Sequence, residues 1–113
     1  MIIINLINSL ITDAITKARA DGFISTDSNI TFTVERPQNQ EHGDFATNLP
    51  LRLAGSLKMN PLDIGNHISS LINQPYEIDS IWVQPPGFIN FSLNDNWVRS
   101  QVDHVLSSET SFG

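Results

Sequence analysis

The sequence predicts an α+β fold, a small and mainly antiparallel sheet with helices packed on one face, in the order α-β-α-α-β-β-α. Three observations carry this expectation. Residues 2–20 repeat apolar side chains with the period of an amphipathic helix. Residues 30–36 alternate apolar and polar in the manner of a half-buried strand. Residues 78–84 and 88–93 are two strand-like runs on either side of Pro85-Pro86-Gly87, which reads as a turn, so a hairpin is the economical arrangement.

In chain order, the first helix presents Ile3, Leu6, Ile7, Leu10, Ile11, Ala14, Ile15 and Ala18 as one stripe, and Gly22 is placed to end it. The strand that follows turns Ile30, Phe32 and Val34 to one side and Thr31, Thr33 and Glu35 to the other, and Pro37 stops it. After a polar loop, Asp44 can cap a helix carrying Leu49, Leu53, Ala54 and Leu57. Pro50 would then lie past the first turn and kink that helix; in the alternative, Asn48 is the cap and the helix starts later. Asn60-Pro61 reads as N-cap and first position of a third helix with Ile64, Ile68, Leu71 and Ile72 on its stripe, ending before Pro75. After the hairpin, Asn94 or Asp95 caps a closing helix with Val98, Val102, Val105 and Leu106 inward.

A chain of 113 residues has room for one core, so residues 1–113 are expected to be a single domain that folds as a monomer. With no cysteine there is no disulfide framework, thiolate nucleophile or zinc-thiolate site, which is compatible with the cytosol. The apolar start is interrupted by Asn5, Asn8 and Ser9 and preceded by no positive charge, unlike a secretory signal, and no stretch reaches the length of a membrane span. The formal charge of −6, with only Lys17, Arg19, Arg36, Arg52, Lys58 and Arg99 as strong cations, argues against nucleic-acid binding by a basic patch alone. Contact with RNA would have to be local.

Strand parity over residues 88–93 sends Ile89, Phe91 and Leu93 to a core face and Phe88, Asn90 and Ser92 to the other. An aromatic ring two residues from an amide is a minimal kit for stacking an unpaired base and reading its edge, and Gly87 would admit a ligand to the backbone. The competing reading has Phe88 capping the core and Asn90 satisfying a neighbouring backbone group. Glu41, His42 and Asp44 could form an acid-base cluster, but a loop entering a helix needs a turn residue and a cap, which Gly43-Asp44 supplies. His42, His67 and His104 lack metal-ligand spacing, Trp82 and Trp97 read as core or interface residues, and no phosphate-cradling glycine loop is present.

The run His42-Gly43-Asp44-Phe45-Ala46-Thr47-Asn48 is similar to the pattern H-G-D-F/Y-A/S-S/T-N near the start of arginyl-tRNA synthetases, and Pro86-Gly87-Phe88-Ile89-Asn90-Phe91 resembles their G-P-G-F/Y-I/L-N-F/I. The resemblance covers essentially the whole chain and is to the family's N-terminal appended domain. It implies a module without an active site that packs beside the catalytic domain of the same parent chain and reaches the D-loop at the outer corner of tRNA(Arg). Matched by position, the base-stacking aromatic falls on Phe88 and the base-reading amide on Asn90, with Gly87 beside them, while His42, Gly43, Asp44 and Asn48 belong to the structural motif. ATP with Mg2+ would serve the parent ligase only, through an H-I/V/L-G-H-type motif downstream, and the fragment itself would need no cofactor or metal. Phe112-Gly113 stands about where the catalytic domain would begin, so an excised domain of a cytoplasmic enzyme is expected. Gln84-Pro85 and Pro50 depart from the family pattern. The competing functions are a protein-interaction module using the Phe88 and Trp82 surface, and an enzyme acting through His42 and Asp44.

Overall fold

A computed structural model describes residues 2–25 and 29–101. Helix α1 spans Ile2–Ala20 and buries Ile3, Ile7, Leu10, Ile11, Ala14, Ile15 and Ala18, the predicted stripe with Leu6 at its half-buried edge. Its end is set by Gly22 at φ +84°, a conformation that costs glycine nothing and other residues a Cβ clash. Beyond it the chain folds back, Phe23 and Ile24 both donating to the Ala18 carbonyl.

Four strands form one antiparallel sheet in the order β1-β2-β4-β3: β1 Val34–Glu35, β2 Phe45–Thr47, β3 Ile78–Gln84 and β4 Phe88–Leu93. Helices α2 (Leu49–Leu57) and α3 (Pro61–Ser70) connect β2 to β3. A closing helix, α4, begins at residue 95 and is described to residue 101. The α+β class and the predicted order therefore stand, with a short strand added between the first strand and the second helix. The core is the layer between helices and sheet, where Ile7, Ile11, Ile64 and Ile68 meet Phe45, Ile89 and Phe91, all at 0% exposure.

The sequence reading and the structure part company at residues 44–48. Asp44 does not cap a helix. The three residues after it alternate buried, half-buried, buried and pair with β1 on one side and β4 on the other. The Asp44 carboxylate instead accepts the Leu93 N–H at 2.8 Å while its own N–H donates to the Phe91 carbonyl at 2.8 Å, stapling the start of β2 to β4. Asn48 holds the N-cap position of α2, as the alternative had it. Pro50 then falls in the first helical turn, where its missing N–H has no partner to lose.

The other differences are smaller. Residues 30–36 contribute only Val34–Glu35 to the sheet, because past Thr47 the partner chain turns into α2 and the Thr33 N–H is taken by the Asn48 side chain instead of a backbone carbonyl. The third helix starts as expected, Asn60 Oδ1 accepting the Leu62 N–H at 2.9 Å with Pro61 next. Asn94, not Asp95, caps α4 by accepting the Trp97 N–H at 3.0 Å. Val98 is exposed rather than inward, since among the described residues of α4 it is Trp97 that packs against the core; Val102, Val105 and Leu106 fall outside the described residues.

Candidate nucleic-acid interface

The helices cover one face of the sheet, and the register of the strands says what stands on the other. Glu35 pairs with Ala46, Ala46 with Asn90, and Asn90 with Trp82, so these four side chains form one row across all four strands. Two residues along, Phe88 pairs with Gln84, and Thr33 donates its N–H to Asn48 Oδ1 at 2.9 Å. Above these two rows lies an open groove of about 790 Å³, lined by Phe88, Asn90, Ala46, Asn48, Gln84 and Arg36 among others. Ala46 is part of that lining, and its methyl group leaves room that any larger side chain would fill.

Phe88 is half-buried at the groove, outside the core cluster, as strand parity predicts. Asn90 is on the predicted face but not accessible: it is 1% exposed, and its Nδ2 donates to the His42 carbonyl at 2.7 Å. Parity assigns a side of the sheet and says nothing of what covers it. Here the cover is the loop through His42 and Gly43, which folds across the row. Asn90 thus does what the structural alternative described, satisfying a backbone carbonyl, while its Oδ1 is shut from solvent and has no hydrogen-bond partner among the described residues. A buried acceptor left unpaired costs roughly 1–3 kcal/mol, so such an atom calls for an explanation.

Gly87 requires a correction as well. It is buried, and a methyl group there would stand 2.5 Å from Pro61 Cβ and 3.0 Å from Leu51 Cδ2. The close approach it permits is to the starts of α2 and α3 rather than to a ligand. It holds the β3–β4 turn against the helices and so sets the height of Phe88.

The loop that shields Asn90 depends on Gly43, which sits at φ +89° with the position of a missing methyl only 2.7 Å from the Phe91 carbonyl oxygen and 2.8 Å from Trp82 Cη2. Trp82 is held in turn by its indole N–H on Gln84 Oε1 at 3.2 Å. His42, Gly43, Asp44 and Asn48 are therefore structural parts of one assembly: a turn glycine under a tryptophan, a carbonyl orienting Asn90, a carboxylate on β4 and an amide tying β2 to the chain before β1.

The electrostatics of the groove are mild. The Arg36 guanidinium lies 5.3 Å from the centre of the Phe45 ring and Glu35 stands beside it, so one cation and one carboxylate share that end. His42 shares no hydrogen bond with Asp44, whose carboxylate is engaged by Leu93, which removes the geometric basis of an acid-base pair. Among the described residues no set of three His, Cys, Asp or Glu side chains converges as a metal site. His67 lies elsewhere, its Nε2 3.0 Å from Asp21 Oδ2 and its ring stacked on Phe23 with centroids 3.8 Å apart. That cluster joins the turn after α1 to α3, and sequence spacing offered no signal for it because 46 residues separate the partners.

The sequence reading did not single out Ala46 and Leu51 as groove residues. Parity along β2 would have placed Ala46 and Asn48 beside Phe88 and Asn90, had those residues been read as strand.

Comparison with known proteins gives a consistent picture. Residues 5–93 match the family described as the arginyl tRNA synthetase N terminal domain. The arginine-tRNA ligase of Dehalococcoides mccartyi strain CBDB1 is 37% identical over 109 residues, which is 96% of this chain and 19% of that protein. The arginine-tRNA ligases of Moorella thermoacetica and Thermotoga maritima are 36% and 34% identical, over 91% and 98% of this chain. The chain thus spans only 19% of the length of each of these relatives. Two solved structures share the fold: the Plasmodium falciparum arginyl-tRNA synthetase, with TM-score 0.72 over 87% of this chain and 17% of that one at 19% identity, and the Thermus thermophilus enzyme, with TM-score 0.64 over 80% and 14% at 20% identity.

Proposed function

Because the chain belongs to the arginyl-tRNA synthetase N-terminal domain family, we propose that it is the domain with which an arginine-tRNA ligase grips the outer corner of its tRNA. The reading is that an unpaired base of the tRNA(Arg) D-loop enters the groove on the helix-free face of the sheet, stacks on Phe88 and meets the amide of Asn90 at the floor. The observation that carries it is the groove itself: an aromatic ring and a small alanine in its lining and an amide with a buried, unsatisfied oxygen between them on the sheet, in an otherwise acidic chain.

The chemistry of aminoacylation belongs, in this reading, to the catalytic domain of the same parent chain, which uses ATP with Mg2+ in the cytoplasm. The 113 residues contribute position, and the groove needs no cofactor to do so. The formal charge of −6 fits that division, since an acidic module gains little from displacing counterions and must bind by fit. The domain by itself is a weakly binding monomer. Burial of Asn90 adds one condition: its oxygen becomes available to a base only if the loop over it gives way by a small amount, so Phe88 supplies the larger and earlier part of the contact. Among the described residues no helix is long and apolar enough to cross a membrane.

The test is arginylation by the full-length enzyme. Base stacking on an aromatic ring is worth roughly 1–3 kcal/mol, so Phe88→Ala is expected to lower kcat/KM for tRNA by roughly ten- to a hundredfold, and Asn90→Ala by less. Arginine and ATP affinities should stay unchanged. A Phe88→Ala enzyme that charges tRNA normally would remove the reading and favour a protein partner for the Phe88 and Trp82 surface.

A further inference from the structure

We propose that Asn48 is a second base-reading residue of this groove, holding hydrogen-bond donors toward the nucleotide that Phe88 stacks. The inference rests on the tRNA reading above and extends it to a residue that the sequence motif presents as structural.

Asn48 stands at the N-cap of α2, the position where an asparagine side chain ordinarily accepts an N–H from the first helical turn. It does not do so: no side-chain cap bond is made, and the Leu49 N–H goes to Thr47 Oγ1 at 3.3 Å. The Asn48 side chain turns instead toward the chain preceding β1, where Oδ1 accepts the Thr33 N–H at 2.9 Å. Only an oxygen can accept that bond, so the orientation of the amide is forced by its partner. The NH2 group is the end left over. Among the described residues it makes no hydrogen bond, and Asn48 lines the groove with Phe88 and Asn90.

Asn90 is fixed in the opposite sense. Its Nδ2 must face the His42 carbonyl, which can only accept, so its free end is the buried and unpartnered Oδ1. The groove therefore carries a donor from Asn48, and beneath the His42–Gly43 loop lies an acceptor from Asn90 that a base reaches only when that loop gives way, each set by a backbone group of the protein. A nucleobase edge carries donors and acceptors side by side and satisfies both. A phosphate presents acceptors only; it would suit Asn48 but not Asn90, and among the described residues Arg36 is the only strong cation lining the groove, with Glu35 next to it in the chain. The occupant favoured by this arrangement is a neutral, planar base.

The variant that isolates the claim is Asn48→Asp in the full-length ligase. It keeps the oxygen that the Thr33 N–H needs and remains a preferred N-cap residue, while the NH2 donors are replaced by an acceptor. The expected result is an unchanged unfolding midpoint and a roughly tenfold fall in kcat/KM for tRNA. Unpaired D-loop nucleotides are then made abasic one at a time. At the nucleotide whose removal abolishes the Phe88→Ala effect, the Asn48→Asp loss should shrink to less than about twofold.

An equal Asn48→Asp loss on intact and abasic tRNA would overturn the inference, because the added charge would be acting on phosphates. No loss from Asn48→Asp, with Phe88→Ala still harmful, would overturn it while leaving the stacking reading intact. Normal charging by both variants would remove the reading and this inference together. If Asn48→Asp does not fold, the wild-type enzyme carries the test: replacing one acceptor atom of the stacked base by CH should cost about the same factor, and indifference to every such replacement would overturn the proposal.

Discussion

Replacing Gly43 by alanine should be among the most damaging single-methyl changes in the described structure, and the cost follows from two independent terms. Gly43 sits at φ +89°, where a Cβ costs roughly 1–2 kcal/mol in backbone strain. The same methyl would stand 2.7 Å from the Phe91 carbonyl oxygen and 2.8 Å from Trp82 Cη2. The ring has some freedom to tilt, but Phe91 lies in β4, which is paired on both sides, so its carbonyl cannot retreat without disturbing two ladders. Such overpacking costs roughly 1–3 kcal/mol, and the two terms together come to about 3 kcal/mol. For a domain of this size that corresponds to a fall in Tm on the order of 15 °C.

Gly22 and Gly55 provide the controls. Gly22 has a similar φ of +84° but nothing within 4 Å of the methyl position, so Gly22→Ala carries the strain term alone, about 1–2 kcal/mol. Gly55 lies within α2 with open space around it, and Gly55→Ala should stabilise by roughly 0.5–1 kcal/mol. Thermal or urea unfolding of the three variants, followed by tryptophan fluorescence, measures all three terms. If Gly43→Ala costs no more than Gly22→Ala, the packing of the loop against Trp82 and β4 is wrong, and with it the burial of Asn90. Because the loop also supplies the carbonyl that orients Asn90, Gly43→Ala should reduce tRNA use in a full-length enzyme even below its melting point.

Asp44→Ala should cost about 1 kcal/mol through loss of the Leu93 N–H bond, an effect checked by urea unfolding, and Asp44→Asn should recover most of it because an amide oxygen still accepts. The Asp21 carboxyl is held below its ordinary value of 3.8, first by the Phe23 N–H and then by His67. A carboxyl whose folded pKa is depressed adds stability that is present above its unfolded pKa, about 3.9, and lost as pH falls through the folded value. Asp21→Asn should therefore flatten part of the acid limb of the stability profile below about pH 4, and identical limbs would count against the Asp21–Phe23–His67 cluster. Asn94→Ala should fray the start of α4 at a cost of about 1 kcal/mol, visible as lost amide protection near Trp97. The 113-residue chain should unfold in one cooperative transition, and a broad melt would argue against a single core.

What the sequence determined by itself was set by local chemistry acting over a few residues. The period of α1 needs no partner to be read, since Ile3 through Ala18 can form only one stripe, and Gly22 ends it by its own backbone freedom. Asn60-Pro61 starts α3 for the same kind of reason, and Pro85-Pro86-Gly87 admits nothing but a turn between two strands. Parity in β4 assigned Phe88 and Asn90 to a shared face correctly, because alternation is a property of one strand.

Tertiary structure decided the rest. The local signals at residues 44–48 read as a helix start, and the extended conformation was chosen by partners: β4 and β1 offer hydrogen bonds to Phe45, Ala46 and Thr47, and Leu93 offers its N–H to Asp44. The exposure of Asn90 is likewise no property of its strand. A side of a sheet is accessible or not according to what folds over it, and here a loop brings the His42 carbonyl across 48 residues of sequence to the Asn90 amide. The orientation of Asn48 depends on the same kind of distant contact, with a single N–H from Thr33 turning a helix cap into a donor at the edge of a groove.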